Sequence, residues 1–395
     1  MNKKTNIQTQ GAEKNIKVPN SNGMNVLMLS IDKEILKDGG PVQKRMEFIS
    51  GAADTLHILV LGSENKITNT VSEKLIVQGI PVLHKIFIPV YAYLSAKKIV
   101  AEDWIVTTQD EFIGIAGYLL KRLKGIPWEA QVHTDIAARE YKTFSLQNRI
   151  RTSIARRIYP RATRIRAVSV RVKKSLQQWK NMFVVPIDIL PVFIDTSKFY
   201  KNTNRGDNVF RVISVSRLSS EKRIDGILCA FAVFHKEHKD TELLIVGDGV
   251  ERANLEALAH KLQITNAVEF VGQVDNVEDY YADADVYVLN SAYESYGRTI
   301  VEAMASGLPV ISTDVGIARE FIEKVSTGEV VDSIEEMEIS LERSYEEIGR
   351  NAHIKEGVNN QLKLEIFSRE GYLGALRSNW ERVVGSLRSC KDSRQ

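Results

Sequence analysis

The chain has 395 residues, 44% of them hydrophobic and 26% charged, a balance that fits a globular protein with room for two domains and excludes a collagen or a largely disordered chain. Its longest apolar run, Ile86–Leu94, falls well short of the roughly 18 residues of a membrane-spanning helix, no signal-peptide core opens the chain, and Cys229 and Cys390 supply neither a disulfide framework nor a metal-ligand spacing. The formal net charge of +3 divides unevenly: residues 1–200 carry 30 Lys and Arg against 17 Asp and Glu, the remainder 23 against 33. A cytoplasmic protein is expected, with two domains of opposite sign that meet different partners.

Residues 1–23, rich in Asn, Lys, Gln and Thr without apolar periodicity, read as a disordered leader. Asn25–Ser30 is the first expected strand, followed by Gly39, Gly40 and a helical segment containing Arg45. Strand, paired glycines and helix let a backbone approach a phosphate, although Gly-Gly-Pro alone is more often just a turn. Leu56–Leu61, Ile80–Leu83 and Trp104–Val106 continue as strands with helices between them, Phe112–Leu123 the clearest, so residues 24–192 form an alternating α/β domain. Ala130–Val132 then delivers His133, Thr134 and Asp135 to a strand end, the edge at which open α/β sheets hold ligands. From Asn148 to Lys174 there are ten Lys or Arg and no acid. Leu146, Ile150, Ile154 and Ile158 recur every four residues there. Arg149, Arg151, Arg156 and Arg157 thus ride on a helix with one apolar stripe, a pattern suited to an anionic membrane surface or an acceptor, and also to a solvated helix resting on its domain.

Residues 193–366 form the second domain, with Val212–Val215 its first strand. Arg217 and Lys222 stand between that strand end and a helix start, where both can reach a diphosphate, one by its fork and the other as a point charge; without further context they read as surface charges. Leu243–Val246 is a buried strand ending in the turn Gly247, Asp248, Gly249; it lacks the third glycine of a dinucleotide fingerprint, which counts against an NAD enzyme. Val286–Leu289 leads through a polar loop into the helix Arg298–Ser306, stopped by Gly307 and Pro309, and then into the strand Val310–Ser312. Glu294 precedes that helix, and Glu302 lies on it beside Arg298, opposite the sheet-facing Ile300, Val301 and Met304. Two carboxylates thus flank a helix N-terminus, Gly297–Thr299, where backbone N–H groups favour an anion, which suits a phosphorylated sugar or nucleoside. Taken singly, Glu302 merely pairs with Arg298 and Glu294 is a solvated loop residue.

The string E-S-Y-G-R-T-I-V-E-A-M-A-S-G-L-P-V-I from Glu294 resembles the E-x7-E signature of the family-4 retaining glycosyltransferases of GT-B type, and the resemblance covers residues 24–388. Arg217–Lys222 matches the G-R-L-x-x-E-K element with Ser216 for its glycine, Gly39-Gly40 matches the glycines of the first loop, and Thr313-Asp314-Val315-Gly316 matches T-x-x-G-G with Ile317 at the second glycine. Val192-Phe193-Ile194-Asp195 replaces the usual Asn-Gly-Val-Asp at the domain crossing. The resemblance implies an α/β GT-B fold: two Rossmann-like domains facing each other across a deep cleft, with a last helix, 367–388, returning to the first domain. It puts Glu302 on the ribose, Glu294 on the sugar hydroxyls, Arg217 and Lys222 on the diphosphate, and His133 opposite the donor sugar, with Gly247, Asp248, Gly249, Gly297, Arg298 and Thr299 lining the donor site. The implied reaction is retaining hexosyl transfer from a UDP-sugar to a hydroxyl acceptor in cell-surface polysaccharide or glycolipid synthesis; a lipid-linked acceptor at the inner membrane face is the reading that the basic cluster 148–174 adds. Front-face attack, with the leaving phosphate oxygen taking the acceptor proton, requires no protein nucleophile, metal or cofactor beyond the nucleotide-sugar substrate, and no nucleic-acid partner is expected. Two rivals stand beside this: a sugar-nucleotide 2-epimerase using the same cleft without an acceptor site, and a catalytically degenerate GT-B subunit acting as a scaffold.

Overall fold

A computed structural model describes residues 23–180, 184–202, 205–325, 328–350 and 368–392; the expected leader 1–23 lies outside them apart from its last residue. The first sheet is built from β1 (Asn25–Ser30), α1 (Pro41–Ser50), β2 (Thr55–Ser63), the hairpin of β3 (Ile67–Thr70) and β4 (Leu75–Pro81), α2 (Ile88–Ala96), β5 (Trp104–Thr108), α3 (Glu111–Lys124), β6 (Trp128–Val132), α4 (Arg139–Phe144), α5 (Leu146–Ile158), β7 (Arg164–Ala167), α6 (Val170–Gln177) and β8 (Ile187–Ile189). Its order is β3-β4-β2-β1-β5-β6-β7-β8, with only β3 antiparallel. The expected strand Ile80–Leu83 is the tail of β4: the alternation of buried Leu75 and Val77 with half-buried Ile76 and Gln78 carries the strand, and Pro81 ends it. The apolar run from Ile86 is a short 3-10 turn, Lys85–Phe87, opening into α2.

The second sheet comprises β9 (Phe210–Val215), α7 (Ile224–Glu237), β10 (Thr241–Val246), α8 (Arg252–Lys261), β11 (Val268–Gly272), α9 (Val277–Asp283), β12 (Val286–Leu289), α10 (Arg298–Ala305), β13 (Val310–Thr313), α11 (Ala318–Val325), β14 (Gly328–Val331) and α12 (Ile334–Arg350). It is wholly parallel, ordered β11-β10-β9-β12-β13-β14. Both sheets therefore start in the middle, run outward to one side and jump back across β1 or β9, and the jump opens a crevice at the strand carboxyl ends.

Alternation sorts the core. Along β1, Leu27 and Leu29 pack toward α2, α3 and α5, while Val26 and Met28 face the opposite side. That opposite side is closed by α1 and by α13 (Arg369–Asp392), whose Tyr372, Leu376, Trp380 and Val383 are buried against it. Phe48, Phe193 and Tyr372 form an aromatic cluster with ring centroids 4.4 to 6.3 Å apart, fixing the start of α13 beside the chain that leaves the first sheet. Trp380 is fully enclosed. Its truncation to alanine is expected to destabilise the first domain by about 3–5 kcal/mol, checked as a drop in the urea midpoint.

Candidate active site

Three loops at the carboxyl edge of the second sheet converge. After β9 the chain turns through Ser216–Lys222, where Leu218 N–H donates to Asp248 O and Glu251 N–H to Leu218 O, so this loop and the β10–α8 loop are laced backbone to backbone. The lacing explains Gly247 and Gly249: a Cβ on either would sit 1.9 Å from Ser216 O or 2.2 Å from Leu218 O. Expected as donor contacts, these glycines serve loop packing, and the Asp248 carboxylate turns back to accept from Gly249 N–H at 2.7 Å. Lys222 crosses to the third loop, where its ammonium hydrogen-bonds Glu294, and Ser291 Oγ donates to the same carboxylate oxygen at 2.8 Å. Lys222 and Glu294 are brought together; Arg217 is not part of that contact. Its side chain is 78% exposed and pairs with Glu221 within its own loop.

α10 begins at Gly297 in the left-handed region (φ +87) with no side-chain cap, so its first backbone N–H groups lack a capping side chain. The Thr299 hydroxyl accepts from Tyr287 Oη of β12 at 2.6 Å. Arg298 is exposed and lies 3.6 Å from Glu302. Glu302 itself is 8% exposed, and Tyr281 Oη of α9 is 3.4 Å from its carboxylate. Burial raises its pKa, with Arg298 and Tyr281 opposing.

The facing wall comes from the first sheet. Gly39 and Gly40 precede α1; the Gly39 N–H is taken by Gln43 Oε1 at 2.9 Å, and Gly40 is the N-cap. His133 leaves the end of β6 with its Nε2 3.0 Å from Gln131 Oε1, and burial, ahead of Arg166 and Arg45, lowers its pKa to about 3. Asp135, a weaker candidate, accepts from Ala138 N–H and Ser175 Oγ and so ties its loop to α6. The two walls touch at several points: Thr134 Oγ1 and Ser295 Oγ are 3.2 Å apart, Arg171 pairs with Asp314, and the Tyr293 ring stands edge-on between Tyr141 and Phe144 at 5.8 and 5.4 Å. A cavity of about 280 Å³ at this junction is lined by Asp135, Arg171, Glu294 and Asp314 among others. Tyr293 was not singled out from the sequence, and its neighbour Glu294 was the available signal.

The basic helix α5 is only partly a free surface. Arg149, Arg156 and Arg157 are exposed. Arg151, expected on that surface, pairs instead with the buried Glu111, because α5 packs on α3. Arg156 lies 5.9 Å over the Trp179 ring, and Arg157 donates to Ser153 O. The apolar stripe splits: Ile158 is buried, whereas Leu146 (71%) and Ile150 (51%) are exposed. Those two, with Ile31, Ile86, Ile88 and Phe112, line an apolar cavity of about 540 Å³ that opens beside the loops following β1 and β5, hence at the same carboxyl edge as His133.

Residues 195–347 match the family model described as glycosyl transferases group 1. Among curated proteins, the chain is 37% identical over 161 residues to the N-acetyl-alpha-D-glucosaminyl L-malate synthase of Bacillus anthracis, covering 39% of this chain and 42% of that one. It is 30% identical over 164 residues to the alpha-monoglucosyldiacylglycerol synthase of Acholeplasma laidlawii, covering 38% and 41%. The chain thus matches about two fifths of the length of these relatives. Among solved structures, sucrose-phosphate synthase of Thermosynechococcus elongatus superposes with a TM-score of 0.69 at 21% identity over 94% of this chain and 98% of that one. Anabaena HepE in complex with UDP-glucose gives 0.70 at 18%, over 92% and 100%. The fold is GT-B.

Gly247 gives the packing argument a direct check. Gly247→Ala is expected to cost about 2–4 kcal/mol, from an unfavourable φ and a clash with backbone, read by urea unfolding.

Proposed function

We propose that this chain, a GT-B protein whose second domain carries the group 1 glycosyltransferase pattern, moves a hexose from a UDP-sugar to an acceptor hydroxyl with retention of configuration. The observation that carries the reading is the Lys222–Glu294 contact beside the uncapped start of α10, in the segment that matches the family model. A cation, a carboxylate and a set of backbone N–H groups on one spot serve a sugar and its phosphates together. The donor diphosphate takes Lys222 from Glu294, which turns to the sugar hydroxyls; exposed Arg217 swings in as the second cation. Glu302 holds the ribose. The charge that develops on the leaving diphosphate is met by these cations and the helix start, and the leaving oxygen accepts the acceptor proton, so neither metal nor protein nucleophile is required. UDP as the nucleotide rests on the HepE complex with UDP-glucose.

Incubation with UDP-sugars tests this: sugar transfer or slow donor hydrolysis with unchanged anomeric configuration is expected, and epimerised sugar nucleotide would overturn it in favour of a 2-epimerase. Lys222→Ala and Arg217→Ala should each lower turnover roughly a hundredfold, the scale of one preorganised charge-stabilising donor. Near-wild-type turnover in both at saturating donor would sink the clamp.

The acceptor is proposed to be lipid-linked, met at the inner membrane face in polysaccharide or glycolipid synthesis. One relative is named for making a glucosylated diacylglycerol, and the apolar cavity by Leu146 and Ile150 adjoins a run of exposed apolar residues, Leu83, Ile86, Phe87, Val90 and Leu94. The exposed arginines of α5 lie next to it in the chain, and each well-placed cation contributes about 1 kcal/mol on an anionic leaflet. Cosedimentation with phosphatidylglycerol vesicles at low salt, weakened by Ile86→Glu, is the expected outcome; recovery in the supernatant would leave a soluble acceptor.

A further inference from the structure

Behind His133 lies a file of buried polar side chains that the donor contacts do not use. Glu129, Gln131 and His133 alternate along β6 and its end, so they face one side of the sheet, and Arg166 stands opposite Gln131 in the β6–β7 register. Glu129, Gln131 and Arg166 are buried. Asn379 of α13 donates to one oxygen of Glu129, and Thr107 Oγ1 of β5 donates to the other at 2.6 Å. Gln131 Nε2 donates to Thr107 Oγ1 at 2.6 Å, and Arg166 Nη2 donates to Gln131 Oε1 at 2.5 Å.

The direction of each proton follows. A guanidinium only donates, so the Gln131 atom facing Arg166 is its carbonyl oxygen, and its amide nitrogen faces Thr107. The Thr107 hydroxyl, having accepted that proton, passes its own to a carboxylate that only accepts. Gln131 Oε1 therefore offers nothing but lone pairs to His133, whose Nε2 must carry the hydrogen. The other ring nitrogen, Nδ1, keeps its lone pair, has no hydrogen-bond partner among the described residues, and is not sealed from solvent.

The charges around the ring agree with a neutral imidazole. Arg166 from β7 and Arg45 from α1 both bear on it, and Tyr372 of α13 shares their field with Glu129. From the second domain, Arg298 bears on Arg45. Arg166 forms no ion pair among the described residues, and its Nε is buried without a partner. A buried guanidinium held this way costs stability, which calls for a purpose other than packing.

We infer that Arg166 and Gln131 are positioning residues that lock His133 as its neutral Nε2–H tautomer, so that Nδ1 serves as an uncharged acceptor for a substrate hydroxyl. This rests on the cleft being the sugar site, but the state of the ring is measurable without any substrate. A locked neutral ring accepts from a hydroxyl at every pH where the enzyme works. A protonated ring would donate instead and would set a second cation against Arg45.

Nitrogen-15 spectra of the histidine side chains, with the His133 signals assigned by their loss in His133→Gln, test the lock. In the wild type His133 should show the Nε2–H pattern and no titration between about pH 5 and 8. In Arg166→Gln the ring should gain its proton at a higher pH than in the wild type, still below the ordinary histidine value because burial and Arg45 remain, and Arg166→Lys should restore the wild-type response. Gln131→Leu keeps the cation but removes the shared oxygen, so both tautomers should appear. An Nδ1–H ring, or titration near 6.5 in the wild type, overturns the inference whether or not the variants fold. In the transfer assay, the acid-side fall of kcat/KM should begin at a higher pH in Arg166→Gln than in the wild type, and in Arg166→Lys it should not. A fall of equal size at all pH values would mean a merely structural role and overturn the positioning claim.

Discussion

Parallel strands bring all their carboxyl ends to one edge, and this constraint governs everything else in the molecule. Each sheet has its crevice there, and the loops that touch across the gap, with Thr134, Arg171 and Tyr141 on one side and Ser295, Asp314 and Tyr293 on the other, all follow strands at that edge. Neither wall is complete alone. The second domain supplies a cation, two carboxylates and a helix start; the first supplies a histidine, a glycine loop and an apolar recess. Edge-to-edge placement sets these groups along the carboxyl edges that face each other.

Charge along those edges is arranged in two manners. On the second domain Lys222 and Glu294 neutralise one another, and Arg217 stays largely in water beside Glu221, so each cation already has a carboxylate beside it. On the first domain Arg166 is buried and Arg45 half-buried with no carboxylate paired to either among the described residues. The field they exert is therefore permanent, and it falls on His133.

The sequence was most legible where one local pattern sufficed. The strand-loop-helix from Val286 to Ala305 and the return helix were readable because periodicity, caps and glycine punctuation agree there. Failures came where the deciding partner is distant. Gly247 and Gly249 looked like ligand glycines, yet the loop they admit is protein backbone about 30 residues earlier. Arg151 looked like surface charge, and only the packing of α5 on α3 reveals Glu111. Thr299 is claimed by Tyr287, twelve residues back and on another element. The polar file ending at His133 draws on β5, β6, β7 and α13, and no spacing rule links Thr107 to Asn379.

The return of α13 also bears on how the protein is made. Val26, Met28, Ile58 and Ile105 lie on strands within the first hundred or so residues, but the helix that covers them ends at Asp392. While the chain emerges from the ribosome, the second domain has all its strands before the first has its lid. One apolar face of the first sheet stays bare until residues 369–392 have been made, so of the two domains the one that begins first is finished last, and the nascent chain is exposed to aggregation or in need of a chaperone throughout that interval.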